Sequence, residues 1–235
     1  MRISLFIVFM YQVVMAQPTL IQTLGLDDSH LVKLDKHQLT PKTAAAFCAM
    51  QAAALQDGID LQLVSAYRSF ERQQYIWEDK YKRYTTEGMS PKDAIERILQ
   101  YSTIPGTSRH HWGTDIDITD SNAPKQKQVL ISEKFHNNGP FAALRKWMEK
   151  NANKFGFYLV YTNDASRTGF SYEPWHYSYL PEAKYYQKQY DSRTAFAYFK
   201  SVGIYGSAYI DVDFWDDYYN TFVKGINAKL TVSPL

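Results

Sequence analysis

Six residues near the middle of the chain, Thr114–Thr119, constrain its fold more than any others. Ile116 and Ile118 fall on one face of an alternating run, and Asp115, Asp117 and Thr119 on the other. Period-two alternation predicts a half-buried strand. Two carboxylates on one strand face, about 7 Å apart at ~3.3 Å per residue, need partners that welcome charge. The segment just before the strand offers them. Ser108-Arg109-His110-His111-Trp112-Gly113 follows a Pro105-Gly106 break, which places His110 on a loop leading into the strand. A further strand is read at Trp175–Leu180, with His176 near its start and Glu173 three residues earlier. Pro174 between them cannot donate a ladder hydrogen bond and suits a bend. Such a bend can turn Glu173 to the side of His176.

His110, Asp117 and His176 form an N/O/N set of the kind a catalytic zinc uses, with three protein ligands and one open position. Each residue alone reads as an ordinary core or surface group; together, with a glutamate beside the last histidine, they point to a metal site. A third cluster, Ser65-Ala66-Tyr67-Arg68-Ser69 followed by Gln73, lies where a strand over 59–64 turns into a helix. The arginine there offers a planar fork suited to a carboxylate.

The rest of the chain frames these clusters. The first sixteen residues have a basic Arg2, an apolar run over Ile3–Tyr11 and small residues before Gln17, the pattern of an export signal. Residues 17–39 carry few signals and are expected to be an irregular lead-in. Thr40-Pro41 is an N-cap followed by proline at the first helical position, opening a helix to about Gln56. Ser69 caps a second helix and Ser90 a third. Phe141–Lys154 reads as a helix and Phe157–Tyr161 as a strand. Beyond Pro181 two Tyr-rich helical stretches are expected, near Ala183–Ser201 and Asp213–Ile226. Helices mixed with short hairpin-like strands give an α+β class.

Composition removes several alternatives. The 235 residues carry 26 Lys plus Arg against 24 Asp plus Glu, a net charge of +2. That balance gives no general pull toward nucleic acid or anionic membranes. The single cysteine, Cys48, excludes an intrachain disulfide. It lies in an apolar helical stretch and is expected to be a small buried hydrophobe.

The three clusters, in this order, resemble the M15 family of zinc D-alanyl-D-alanine carboxypeptidases of the VanY type. The family's Ser-x-Tyr-Arg-Ser-x-x-x-Gln segment is matched by Ser65, Tyr67, Arg68, Ser69 and Gln73. Its Ser-x-His-x-x-Gly-x-Ala-x-Asp segment is matched by Ser108, His110, Gly113 and Asp117, and its Glu-x-Trp-His by Glu173, Trp175 and His176. The resemblance covers roughly residues 40–181. It implies zinc on His110, Asp117 and His176, with Glu173 as general base. Arg68 would anchor a substrate carboxylate, with Gln73 and Ser108 supporting the substrate or the site. It also implies a Hedgehog/D,D-peptidase-like α+β core in which a small antiparallel sheet flanked by helices carries the zinc ligands.

Two positions depart from the family pattern. Asp115 stands where alanine is usual and is expected to accept a hydrogen bond from a ligand histidine or to contact substrate, the alternative being a solvated strand residue. Ser178 stands where many relatives have arginine, which removes a cation from the substrate side.

The resulting expectation divides the chain into a signal peptide (1–16), a lead-in (17–39), a zinc peptidase domain (40–181) and a helical C-terminal extension packed on the core (182–235). It describes an exported, periplasmic or extracellular monomer. Its partner is a peptidoglycan stem peptide; nucleic acid and a membrane anchor are not expected. The alternatives are an endopeptidase or L,D-carboxypeptidase of the same fold, and a non-catalytic zinc-stabilised wall-binding domain.

Overall fold

The computed structural model describes residues 17–231. The expected export signal, 1–16, lies outside them. Among the described residues no helix is long and apolar enough to cross a membrane.

The lead-in is more ordered than expected. A short helix α1 (Leu20–Thr23), closed by a Thr19/Gln22 capping box, precedes a hairpin of β1 (Val32–Leu34) and β2 (His37–Leu39). Such three-residue strands are too short to produce a recognisable alternation. Their order comes from docking: the Tyr67 N–H donates to Gln38 O and the Thr40 N–H to Gly113 O.

Thr40 caps α2 (Pro41–Gln56), with Pro41 in the first turn. Thr43, Phe47, Met50 and Ala54 turn inward at helical spacing. Cys48 lies off that stripe and is exposed, contrary to expectation. In this alanine-rich helix the apolar residues of the sequence do not mark a single face, so the inward stripe is set by the large side chains.

The central sheet is built from β3 (Leu61–Ser65), β4 (Asp115–Asp120), β5 (Phe157–Leu159) and β6 (His176–Tyr179), in the order β3-β4-β6-β5 and antiparallel throughout. Its apolar face, including Leu61, Leu63, Ile116, Ile118, Phe157 and Tyr177, packs with Phe47 and Met50 of α2. The same core takes in Leu144 and Met148 of α5 (Ala142–Asn151). The opposite face of the sheet carries Asp115, Asp117, His176 and Ser178. Strand β4 is buried on both faces rather than half-buried, because its polar face is roofed by the histidine turn and the chain around it.

A second core joins α3 (Phe70–Thr86) and α4 (Pro91–Leu99) to the C-terminal part of the chain. That part forms α6 (Leu180–Gln189), α7 (Ser192–Val202) and α8 (Val212–Tyr218), the last running into a π-helical turn at Tyr219–Val223. The first Tyr-rich stretch is two helices instead of one. Asp191 accepts from the Thr194 N–H and so caps the second, ending any continuous run. Trp77, Ile95, Ile98, Phe199 and Trp215 meet in this core.

Candidate metal centre and substrate cleft

Cross-strand register assembles the site. Asp117 on β4 stands directly opposite His176 on β6, and Asp115 opposite Ser178. Both pairs share the polar face of the sheet, so two alternate rungs, with Ile116 opposite Tyr177 between them, supply four polar side chains. His110 arrives from a one-turn 3-10 helix, Arg109–Trp112, capped by the Ser108 hydroxyl. The turn ends at Gly113, in the left-handed conformation (φ 69°) where a Cβ would meet Leu31 at 2.5 Å. His110, Asp117 and His176 are all buried and can each present a ligand atom within 4.8 Å of the others.

The hydrogen bonds fix which atoms face inward. His110 Nδ1 lies 2.7 Å from Ala66 O. A carbonyl only accepts, so Nδ1 carries a proton, and Nε2 faces Asp117 Oδ2 at 3.4 Å. His176 is oriented the other way. Its Nε2 is 3.0 Å from Asp115 Oδ2, and its Nδ1 faces Glu173 Oε2 at 3.1 Å and Asp117 Oδ1 at 3.9 Å. Asp117 Oδ1 is buried and has no hydrogen-bond partner. A buried carboxylate oxygen with no donor, converging with two imidazole nitrogens, fits a divalent cation of zinc type.

The electrostatics agree. Burial alone would raise the Asp117 carboxyl, but the charge and hydrogen bond of His110 hold it below its ordinary range. Burial opposes charge on His176, yet hydrogen bonds to Asp115 and Glu173 and the Asp117 carboxylate lift it to about 10. Three carboxylates therefore draw positive charge to this point.

Glu173 is turned toward His176 by the tight turn at Pro174, in which the His176 N–H donates to Glu173 O at 3.1 Å. Arg68 leaves the end of β3 and is tied down on several sides. Its N–H donates to His110 O at 3.1 Å, its Nη1 to Gln73 Oε1 at 2.8 Å and its Nη2 to Ser65 Oγ at 3.2 Å. Gln73 in turn donates to Thr103 O at 2.8 Å. Burial pulls the Arg68 pKa down, against the carboxylates of Asp117 and Glu173.

Arg68, Ser108, His110, Asp117, Glu173 and His176 all line one cleft of about 950 Å³. Tyr101, Ile131, Asn137 and Tyr172 are among its outer walls. Gln73 and Asp115 stand behind it. Gln73 is fully buried against Arg68, and Asp115 is fully buried among Arg109, Thr114, His176 and Ser178. A substrate contact by Asp115 is therefore not what the structure provides.

Two further residues were not singled out from the sequence. Arg109 is buried against β6, donating from Nη2 to Ser178 Oγ at 2.7 Å. His111 is fully buried, with Nδ1 2.6 Å from Arg68 O and Nε2 accepting from the Gly106 N–H. Only the adjacency of both to His110 hinted at a role.

Comparison with known proteins agrees with this geometry. The family model described as "VanY: D-alanyl-D-alanine carboxypeptidase" matches residues 36–182. The chain belongs to the VanY family. A D-alanyl-D-alanine carboxypeptidase of Enterococcus faecalis is 32% identical over 129 residues, 54% of this chain and 43% of that protein. This VanY-family chain thus spans less than half the length of that relative. Among solved structures, VanYB in complex with D-alanine-D-alanine superposes with a TM-score of 0.52 at 26% identity, covering 73% of this chain and 88% of the other. A vancomycin resistance D,D-pentapeptidase VanY variant in complex with Zn(II) superposes with a TM-score of 0.51 at 24% identity. It covers 77% of this chain and 89% of its own, and shares the fold.

Proposed function

We propose that this protein is a zinc metallopeptidase that removes the C-terminal D-alanine from peptidoglycan stem peptides. The observation that carries the reading is the placing of Glu173 and Arg68 around one His-Asp-His set in one cleft. Family membership and the D-alanine-D-alanine and Zn(II) complexes of two structural relatives support it.

His110, Asp117 and His176 would hold the ion. When bound, zinc lowers the pKa of a water toward neutrality and stabilises negative charge on a carbonyl oxygen. The chain's own residues do the rest. Arg68, held by Gln73 and Ser65, presents its guanidinium to the free carboxylate of the peptide. A substrate held by its terminal carboxylate is cut next to its end, so the enzyme acts as an exopeptidase. Glu173 takes the proton of the attacking water and passes it to the leaving amine. Tyr161, edge-on to His176 at 5.1 Å between ring centroids, shields that side of the site from solvent. Action on the wall requires export, which the sequence of residues 1–16 supports.

Glu173→Gln keeps the shape of the side chain and removes the base. It is expected to retain stoichiometric zinc and lose nearly all turnover of a pentapeptide stem. Mass spectrometry of the wild-type products should show release of single D-alanine. Full activity in the variant would overturn the role of Glu173, and larger fragments would overturn the exopeptidase reading.

A further inference from the structure

Behind His176 lies a buried polar group in which every member is hydrogen-bonded. Asp115 Oδ2 accepts from Arg109 Nε at 2.9 Å and faces His176 Nε2 at 3.0 Å. Asp115 Oδ1 accepts from Ser178 Oγ at 2.6 Å and from Thr114 Oγ1 at 3.1 Å. Arg109 closes the ring by donating to Ser178 Oγ, and its guanidinium stacks over Trp112 at 4.4 Å. Asp115 and Ser178 are wholly buried and Arg109 is 4% exposed. Burying an ion pair costs several kcal/mol per ion in desolvation and is not by itself a source of stability. A cluster this costly and this well satisfied calls for a purpose beyond packing.

We infer that Arg109, Asp115 and Ser178 form a brace that positions His176, fixing its proton on Nε2 and its ring plane so that Nδ1 is presented to the metal. The inference rests on the zinc reading above and assigns positioning residues to it. The geometry carries it in three steps. Asp115 Oδ2 can only accept, so it keeps a proton on Nε2 and leaves Nδ1, on the side of Asp117 and Glu173, as the ring atom for a metal. The carboxylate is itself immobilised by three donors, from Arg109, Ser178 and Thr114, so the ring cannot rotate without breaking the set. The cross-strand pairing of Asp115 with Ser178, two rungs from Asp117 with His176 and so on the same face, builds brace and ligands on the same two strands. The two departures from the family pattern, aspartate at 115 and serine at 178, meet in one contact, and Arg109 bonds to both. Partners of this kind to a ligand histidine typically affect metal affinity by about 10–100-fold.

The test is zinc affinity of the full chain, measured by competition with a chromophoric chelator at fixed pH. The melting temperature of the metal-free protein is followed in parallel. Asp115→Ala should weaken zinc binding by about 10–100-fold and shift the d–d bands of the cobalt-substituted protein. Asp115→Asn keeps an oxygen facing both Arg109 and His176, and should bind zinc within about threefold of wild type. If Asp115→Ala strands Arg109 and fails to fold, the Arg109→Leu/Asp115→Ala double variant removes both charges and should show the same loss. A folded Ala variant that binds zinc within about twofold of wild type and has unchanged cobalt bands would overturn the brace. So would an Asn variant as weak as the Ala variant, because a charge rather than an oriented acceptor would then be at work. Wild-type protein that binds no stoichiometric zinc would overturn the metal reading itself, and the brace with it.

Discussion

His111 shows how much of the site is decided by residues that never reach the cleft. Burial pushes its pKa down to about 3, so it stays neutral and can donate from one nitrogen while accepting at the other. It thereby ties the Arg68 carbonyl to the Gly106 amide. Gln73 does the same for the Arg68 guanidinium. Gln73→Ala removes that hold and strands Thr103 O. The expected loss is about 1.5 kcal/mol, roughly tenfold in kcat/KM, appearing mainly in KM on the proposed anchoring of the substrate carboxylate by Arg68. Steady-state kinetics on a stem peptide would check it. Away from the site, burial depresses the half-buried His30 below its ordinary value. Its unfolded form therefore takes up a proton first as pH falls. The stability it contributes is whole above pH ~6.5 and is lost as the pH drops from there through its lowered folded value. His30 packs against Tyr186 at 5.8 Å, so His30→Phe keeps a ring in place. Urea midpoints at pH 7.5 and 5.5 should fall less in that variant than in wild type.

At the scale of elements, the site depends on the pairing of β4 with β6. A slip of one residue would exchange Ile116 for Asp117 opposite His176 and turn both carboxylates into the apolar core. The register is held because Ile116, Ile118 and Tyr177 have only one core to enter. The alternation of β4 was plain in the sequence, but the burial of its polar face was not. A polar strand face reads as solvent-facing unless the elements that cover it are known. Helix α8 shows a similar dependence over a longer range. The Tyr218 hydroxyl accepts from the Ile104 N–H at 3.1 Å and lies 2.7 Å from Thr107 Oγ1. It thus fixes the segment that leads into Ser108 and His110. Tyr218→Phe leaves a buried amide without a partner and should cost about 1–3 kcal/mol. Chemical denaturation would measure that loss, and activity should fall with it as the 102–108 wall loosens.

On the scale of the whole molecule, the family match stops at residue 182 but the core does not. Trp77 Nε1 donates to Tyr205 O at 2.9 Å, and Asn227 donates from its backbone to Val160 O and from its side chain to Leu159 O. Arg167, in the loop that leads to Glu173, donates to Gly225 O at 3.0 Å. A chain ending at Pro181 would expose Trp77, Ile98, Val160 and Phe170 and release that loop. It is expected to aggregate or to show a molten near-ultraviolet spectrum, and a cooperative melt of residues 17–181 would refute this. What the sequence determined by itself was the chemistry: two histidines, an aspartate, a glutamate and an arginine in segments whose spacing and residue types limit what they can do together, and a strand whose alternation puts Asp117 on one face. Those are local properties, set by backbone periodicity and by the donors and acceptors each side chain carries. Only the tertiary structure decided which nitrogen of each histidine turns inward, that Asp115 is buried against His176, that Arg109 bonds to both Asp115 and Ser178, and that residues between 182 and 231 complete a core. Each of these depends on contacts between segments far apart in the chain, where burial and cross-strand register, not local pattern, select the partner.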